Sequence, residues 1–323
     1  MKGSIVDRRE VLGAAAALAV AAAGPAFAAL ADRPKELRIG YQKISVLLLV
    51  KARKLLEKRF EPLGIAIKWV EFPFGPPLLE ALGAGAVDYG YTGDSPPIFA
   101  QAAHGRLVYA LAIPARGYGQ GIVVPPQSAI KSLAELKGKK VGVAKASSAH
   151  NLLIASLETA RLGWGDITPV YLAPADAAAA FSRGAIDAWS IWDPYLAIAE
   201  LNANARQLEL DRAATAQNSF FLANSDFVAK YPDIVRGVNE EIEKAAKWAG
   251  EHRDDVAALY SEVSGVSLDA QKKSVARAEF AAGPLDDTVI AQQQSVADRF
   301  HRLGLIPEKI DIRDIVWKRK PAS

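Results

Sequence analysis

The chain has 323 residues, half of them hydrophobic, which is enough for a packed core and for two domains. A formal net charge of +3 gives no electrostatic case for a nucleic-acid partner, and the basic run Lys318-Arg-Lys320 reads as a solvated tail. There is no cysteine, which excludes disulfides, thiolate metal sites, iron–sulfur clusters, a cysteine nucleophile and a lipid anchor on a processed N-terminal cysteine.

Residues 1–28 read as an export signal outside the fold. Arg8-Arg9 forms a twin-arginine pattern, an alanine-rich apolar run spans Val11 to Ala23, Gly24-Pro25 breaks it, and Ala26-Phe-Ala28 supplies small residues for cleavage after Ala28. No other stretch reaches the ~18 apolar residues of a membrane span. The expected mature protein is soluble and periplasmic.

From Leu37 onward, short apolar runs alternate with helical patterns. Leu37–Gly40 is a strand, and Ser45 can cap a helix over Val46–Arg59. A strand follows over Ile65–Phe72. Gly75-Pro-Pro77 opens a helix through Leu82, Val87–Tyr91 is a strand ending at Thr92-Gly-Asp94, and Pro96-Pro97 opens another helix before strand Leu107–Ile113. The order β-α-β-α-β implies a parallel sheet with helices on both faces, and ligands bind beyond the carboxyl ends of such strands.

The same order then returns. Gly119–Val124 is a strand that changes lobe, Ser132-Leu-Ala-Glu135 a capping box, and Lys140–Val143 a strand. Ser147–Asn151 leads into helix Leu152–Leu162, Val170–Leu172 is a strand, Ala177–Phe181 a helix, and Ile186–Ile191 a strand ending at Trp192-Asp193. Alternation along that last strand puts Trp189 in the core and leaves Trp192 to wall a ligand. Phe72, Phe74 and Tyr91 fall on the same rim. Ser219–Leu222 reads as a strand returning to the first lobe. Helices over Pro232–His252, Asp254–Val263, Leu268–Ala278 and Asp287–Leu303 complete the chain before a strand-like Ile310–Val316. The fold class is therefore α/β with two lobes, each a mostly parallel sheet flanked by helices. Lobe one is 35–117 with 219–323, lobe two is 118–218, and crossings near Ala115–Gln120 and Gln217–Phe221 act as a hinge.

The two halves echo each other. Gly85-Ala-Val-Asp88 through Asp94 matches Gly184-Ala-Ile-Asp187 through Asp193, 99 residues later, and Gly40-Tyr-Gln-Lys-Ile-Ser45 matches Gly142-Val-Ala-Lys-Ala-Ser147. Both G-x-x-K-x-S blocks sit where a strand turns into a helix. A helix N-terminus offers free N–H groups and the positive end of the dipole, so these turns favour an anionic ligand with several acceptor oxygens. Ser147 and Ser148 add hydroxyl donors, and they also suit ordinary N-caps, as does Ser45. Lys43 and Lys145 read either as site cations or as solvated rim lysines. Asp94 and Asp193 face the same choice between direct contact and a supporting or hinge role, because a carboxylate repels an anion.

Enzyme signatures do not occur: there is no H-E-x-x-H, no G-x-S-x-G and no P-loop, and Gly83-Ala-Gly85 precedes a strand where a dinucleotide fingerprint would follow one. Ser147, Ser148 and His150 lie too close together for a triad. The four histidines have no metal-ligand partner at useful spacing. No cofactor and no metal are expected, and the chemistry expected is reversible capture.

Tyr41-Gln-Lys43, Trp69-Val-Glu-Phe-Pro73, Thr92-Gly-Asp94, Ser147-Ser-Ala-His-Asn151, Pro174-Ala-Asp176 and Asp187-Ala-Trp-Ser-Ile-Trp-Asp-Pro194 resemble the aliphatic sulfonate-binding proteins, the periplasmic components of sulfonate ABC importers. The resemblance spans 35–317 and implies a periplasmic binding protein type II fold. It also implies a monomer that holds an alkanesulfonate or related small anion between its lobes and delivers it to a membrane permease. The candidate ligand-binding set is Gln42, Lys43, Thr92, Gly93, Asp94, Ser147, Ser148, His150, Trp192, Asp193 and Ser219. Taurine, nitrate or another small anion or heterocycle on the same fold is the alternative ligand. A desulfinase-like enzyme is a further rival that the lack of cysteine disfavours. Ile44 stands where this family commonly has a small residue, and Ala146 where it commonly has glycine.

Overall fold

The computed structural model describes residues 33–114, 118–212 and 216–318. The expected export signal lies outside these residues, as does Ala115-Arg116-Gly117 of the first expected crossing. No described helix is long and apolar enough to cross a membrane.

Two five-stranded sheets carry the molecule. The first is built from β1 (Glu36–Tyr41), β2 (Ala66–Glu71), β3 (Tyr89–Gly93), β4 (Leu107–Ile113) and β10 (Ser219–Asn224), in the order β2-β1-β3-β10-β4. The second contains β5 (Gln120–Val124), β6 (Lys140–Val143), β7 (Thr168–Tyr171), β8 (Ala188–Trp192) and β9 (Arg206–Gln207), in the order β7-β6-β8-β5-β9. The two orders are one order written twice. In each sheet, three parallel strands from a βαβαβ unit pair with one antiparallel strand that arrives from the other side of the molecule. In the first sheet that incoming strand is β10, and in the second it is β5.

The sequence echo has a physical cause. Gly85 and Gly184 both take left-handed backbone, φ 75° and 68°, where a side chain would be strained. Each closes the preceding helix: Gly85 donates to Leu82 O and Gly184 to Phe181 O, both at 3.0 Å. The aspartate three residues on then ties two parallel strands at their starts. Asp88 N donates to Arg38 O and Asp187 N to Lys140 O, both at 2.8 Å. In return the Arg38 amide donates to Asp88 Oδ2 at 2.8 Å and the Lys140 amide to Asp187 Oδ2 at 2.7 Å.

Helices pack both faces of each sheet. On the first, α1 (Val46–Ala52), α9 (Pro232–Glu251) and α10 (Arg253–Ser264) bury Val46–Val50, Val238, Ile242 and Val256 against one face. The other face is covered by α3 (Gly75–Gly83), α4 (Ser95–Ala102) and α12 (Asp287–Arg302) through Leu78, Ile98, Val289 and Phe300. On the second sheet, α5 (Ser148–Thr159) covers one face, and α6 (Pro174–Ser182) and α7 (Tyr195–Asn202) the other, where Trp189 packs on Phe181 as its place in the strand implies. The short α8 (Ser225–Lys230) and α11 (Leu268–Arg277) complete the fold.

Five local expectations are corrected. The helix expected over Val46–Arg59 breaks at Lys54, whose φ is 52°, and restarts as α2 (Leu55–Phe60), turning Leu56 and Phe60 into the core. The third strands end later than expected, β3 by two residues and β8 by one, so Thr92-Gly93 and Trp192 belong to β3 and β8. Glu135 accepts from Lys131 N, so the Ser132 box does not close. Ile310–Val316 is a 3₁₀ turn (Ile312–Ile315) ending in a single bridge to Tyr109, not a strand. The fifth difference matters most for the site: α5 begins at Ser148, four residues before the expected start.

Candidate ligand-binding cleft

The carboxyl ends of β1, β3, β6 and β8 face one cleft between the lobes, with about 1090 Å³ of empty space counting its open mouth. Its donor-rich wall starts at the second G-x-x-K-x-S turn. Ala146 adopts φ 59°, left-handed backbone at a non-glycine residue, and this turn sets Ser147 as the N-cap of α5. Ser147 is buried, and its hydroxyl donates back to Ala144 O at 2.7 Å. Ser148, the first helical residue, has no partner for its amide or hydroxyl among the described residues and faces the cleft. Opposite lies Gly93, at the end of β3. A Cβ built there would sit 2.7 Å from Ser148 Cβ and 2.8 Å from its Oγ, so only glycine allows the lobes this approach.

The remaining wall gathers from distant chain segments. Gln42 donates to Tyr91 O at 2.9 Å, and the Tyr91 and Ser219 hydroxyls are hydrogen-bonded. Gln217 donates to Ser148 O at 3.0 Å from the second crossing. Tyr260 of α10 donates to Ser45 O at 2.6 Å. Trp192, Tyr118 and Phe280 supply aromatic surface.

Of the candidate set, Gln42, Gly93, Ser147, Ser148, Trp192 and Ser219 line the cleft. Five do not. Lys43 is half-exposed and pairs with Glu71 at 3.4 Å. Thr92 is fully buried and bonds Gly93 O. His150 lies two residues along α5 from Ser148, about 200° around the helix, and so points away from the cleft. It is buried among Trp164, Tyr171 and Phe300, and burial, with Lys145 nearby, lowers its pKa to about 4, so it is neutral.

The two aspartates also lie outside the cleft lining, each in a bridge between lobes. Asp94 Oδ2 accepts from Asn151 of α5 at 2.6 Å and Oδ1 from Ser95 at 3.0 Å, while Asn151 accepts from Arg299 of α12 at 2.8 Å. Asp193 accepts from the Ala197 amide at 3.0 Å and meets Arg277 of α11 at 3.4 Å. Arg277 also binds Glu200, which Lys273 contacts at 3.1 Å. Burial raises both aspartates to a pKa of about 6, against the donors that hold them.

Sequence reasoning missed Gln217, Tyr260, Arg277 and Glu279, all cleft-lining. Tyr91 was legible only as a rim aromatic. No local pattern marks the others, because they enter through helix ends and a crossing remote in sequence. Among the described residues, no cluster of His, Cys, Asp and Glu could hold a metal. The cleft can hold an anion through neutral donors.

Residues 60–256 match the NMT1/THI5-like family. A curated relative from Escherichia coli (strain K12) with the name of an aliphatic sulfonates-binding protein is 42% identical over 295 residues, 90% of this chain and 92% of its own. The chain belongs to the aliphatic sulfonate-binding protein family. Among solved members of this family, the alkanesulfonate-binding protein SsuA from Xanthomonas axonopodis pv. citri, bound to MOPS, is similar at a TM-score of 0.85 and 39% identity. The match covers 89% of this chain and 99% of that one. The periplasmic aliphatic sulphonate binding protein SsuA from E. coli is similar at a TM-score of 0.81 and 41% identity, covering 90% and 94%. The sulfonate-binding proteins thus share the whole two-lobed architecture with this chain, as the sequence pattern implies.

Proposed function

We propose that the protein captures aliphatic sulfonates in the interlobe cleft and delivers them to the permease of an ABC importer, without chemistry. It acts as a monomer in the periplasm after cleavage near Ala28, with 35–117 and 219–323 as one lobe and 118–218 as the other. The observation that carries this reading is Ser148. Its unpaired amide and hydroxyl stand at the N-terminus of a 12-residue helix, facing Gly93 of the other lobe. Such an end stabilises an anion held by hydrogen bonds.

Ser148, Gln42, Gly93, Ser219 and the Ser147 cap form the proposed head site, and Trp192 walls the tail. Tyr91 and Gln217 join them. A buried charge needs all its acceptors satisfied, so donors from both lobes must converge on the sulfonate. That differential contact is what drives closure. The aspartates and His150 support the lobe boundary and do not touch the ligand.

Calorimetry with short alkanesulfonates tests the reading. Ser148→Ala should weaken binding by about 1–2 kcal/mol, one hydrogen bond to a charged group. Absence of binding by the wild-type protein would overturn the function, and unchanged affinity in the variant would remove Ser148 from the site. Sulfite release from an aryl sulfinate would establish an enzyme instead, although the cysteine-nucleophile route is closed to a chain with no cysteine.

A further inference from the structure

Two charged residues line the cleft among the described residues, Arg277 and Glu279. Arg277 is committed to Asp193 and Glu200. Glu279 is half-buried and, among the described residues, has no hydrogen bond or ion pair. It is not a loose rim residue. Arg253 donates to Val275 O at 2.5 Å and Ala278 O at 3.0 Å, and its guanidinium lies 5.1 Å from the Phe280 ring, so the backbone on both sides of Glu279 is pinned.

A free carboxylate in a cleft whose donors otherwise suit an anion is an electrostatic conflict. It repels a simple alkanesulfonate. It attracts a ligand that carries a cation beside its sulfonate, and Trp192 offers ring surface on which such a cation is also favourable, whereas the Tyr118 and Phe280 rings already meet Arg212 and Arg253. MOPS, bound in the Xanthomonas relative, is a sulfonate with a basic tertiary amine three carbons from sulfur.

We propose that this cleft selects zwitterionic sulfonates, with Glu279 as the residue that reads the cationic tail. The inference rests on the sulfonate-binding reading and narrows it to ammonio-sulfonates.

Two probes of the same shape isolate the charge: 3-(dimethylammonio)propane-1-sulfonate and 4-methylpentane-1-sulfonate, in which N–H⁺ is replaced by C–H. Isothermal titration of the wild-type protein should show the zwitterion binding about tenfold tighter, the equivalent of one partly desolvated charge pair. Glu279→Gln, of equal size, should weaken the zwitterion and at the same time tighten the uncharged-tail sulfonate. A damaged fold would weaken both, so this crossing of effects identifies the charge. Equal wild-type affinities, or a preference that survives Glu279→Gln, would overturn the assignment while leaving sulfonate binding intact. If neither sulfonate binds the wild-type protein, the broader reading falls and this one with it.

Discussion

Asp94 and Asp193 stand in matching places, each one residue past the third strand of its sheet, and each is held by a partner from the opposite lobe. The partners differ in kind. Asp94 meets an amide, and its nearest cation, Arg299, sits one residue further along the network. Asp193 meets the guanidinium of Arg277 directly, in a cluster with Glu200 and Lys273. Duplication supplied the position of the carboxylate and nothing more. Asp193 is answered from the unduplicated C-terminal helices, whereas Asp94 is answered by Asn151 of α5, with Arg299 of a C-terminal helix behind it. The Asp94 bridge lies behind the cleft, and the Asp193 bridge reaches into its lining through Arg277.

The largest expected effect breaks the ionic bridge. Arg277→Ala leaves Asp193 and Glu200 as largely buried carboxylates, with Lys273 as the cation remaining in the cluster and Gln207 and the Ala197 amide as their other donors. It should cost about 3–5 kcal/mol in urea unfolding, the usual result of removing one partner from a buried charge cluster. A loss below about 1 kcal/mol would mean the cluster is solvated and the two bridges do not differ as described.

A second comparison tests the repeat at its other aspartate. Asp88 is buried and receives the Arg38 amide at 2.8 Å, Nε at 3.0 Å and Nη2 at 2.5 Å, while Asp187 is exposed and receives the Lys140 amide. Asp88→Ala should cost about 2–3 kcal/mol and Asp187→Ala about 1 kcal/mol or less. Equal losses in thermal or urea unfolding would show that the strand tie alone matters and that burial and Arg38 add nothing.

The smallest effect is a pH slope at the amide bridge. Asp94 titrates at about 6 in the fold, against an ordinary 3.8. Between those values the folded protein holds a proton that the unfolded chain has shed, so stability falls as pH rises through the window and the loss is complete above about 6. Relative to Asp94→Asn, which has no such titration, the wild-type protein should therefore lose on the order of 2 kcal/mol between pH 4 and pH 7. A flat difference would mean that Asn151, Ser95 and Arg299 fully offset burial.

The architecture was legible because its constraints are local. A left-handed turn needs Gly85 or Gly184, and a strand start needs the Asp88 or Asp187 carboxylate, so both copies kept the same letters. The Ser147-Ser148 turn was legible for the same reason. The phase of α5 was not. Its apolar run begins at Leu152, while its first turn, Ser148–Asn151, has polar residues that tertiary contacts bury. Starting the helix four residues early turns His150 away from the cleft and aims Asn151 at Asp94. Arg277 and Arg299 lie on helices whose pattern announces only an apolar face, and Glu279 lies two residues past the end of one. Their roles depend on which lobe they meet, and no spacing within the chain encodes that.

One feature of the sheets bears on how the molecule is made. β10 lies between β3 and β4, pairing with both, yet it is drawn from residues 219–224. On a ribosome the first sheet therefore stays open, with the facing edges of β3 and β4 unpaired, until the whole second sheet has emerged. The second sheet is built from one continuous stretch and can close alone, since domains fold as units when their strands are in hand. The lobe that begins first in sequence is the one completed last, and in the interval its exposed strand edges are where a chaperone would be needed.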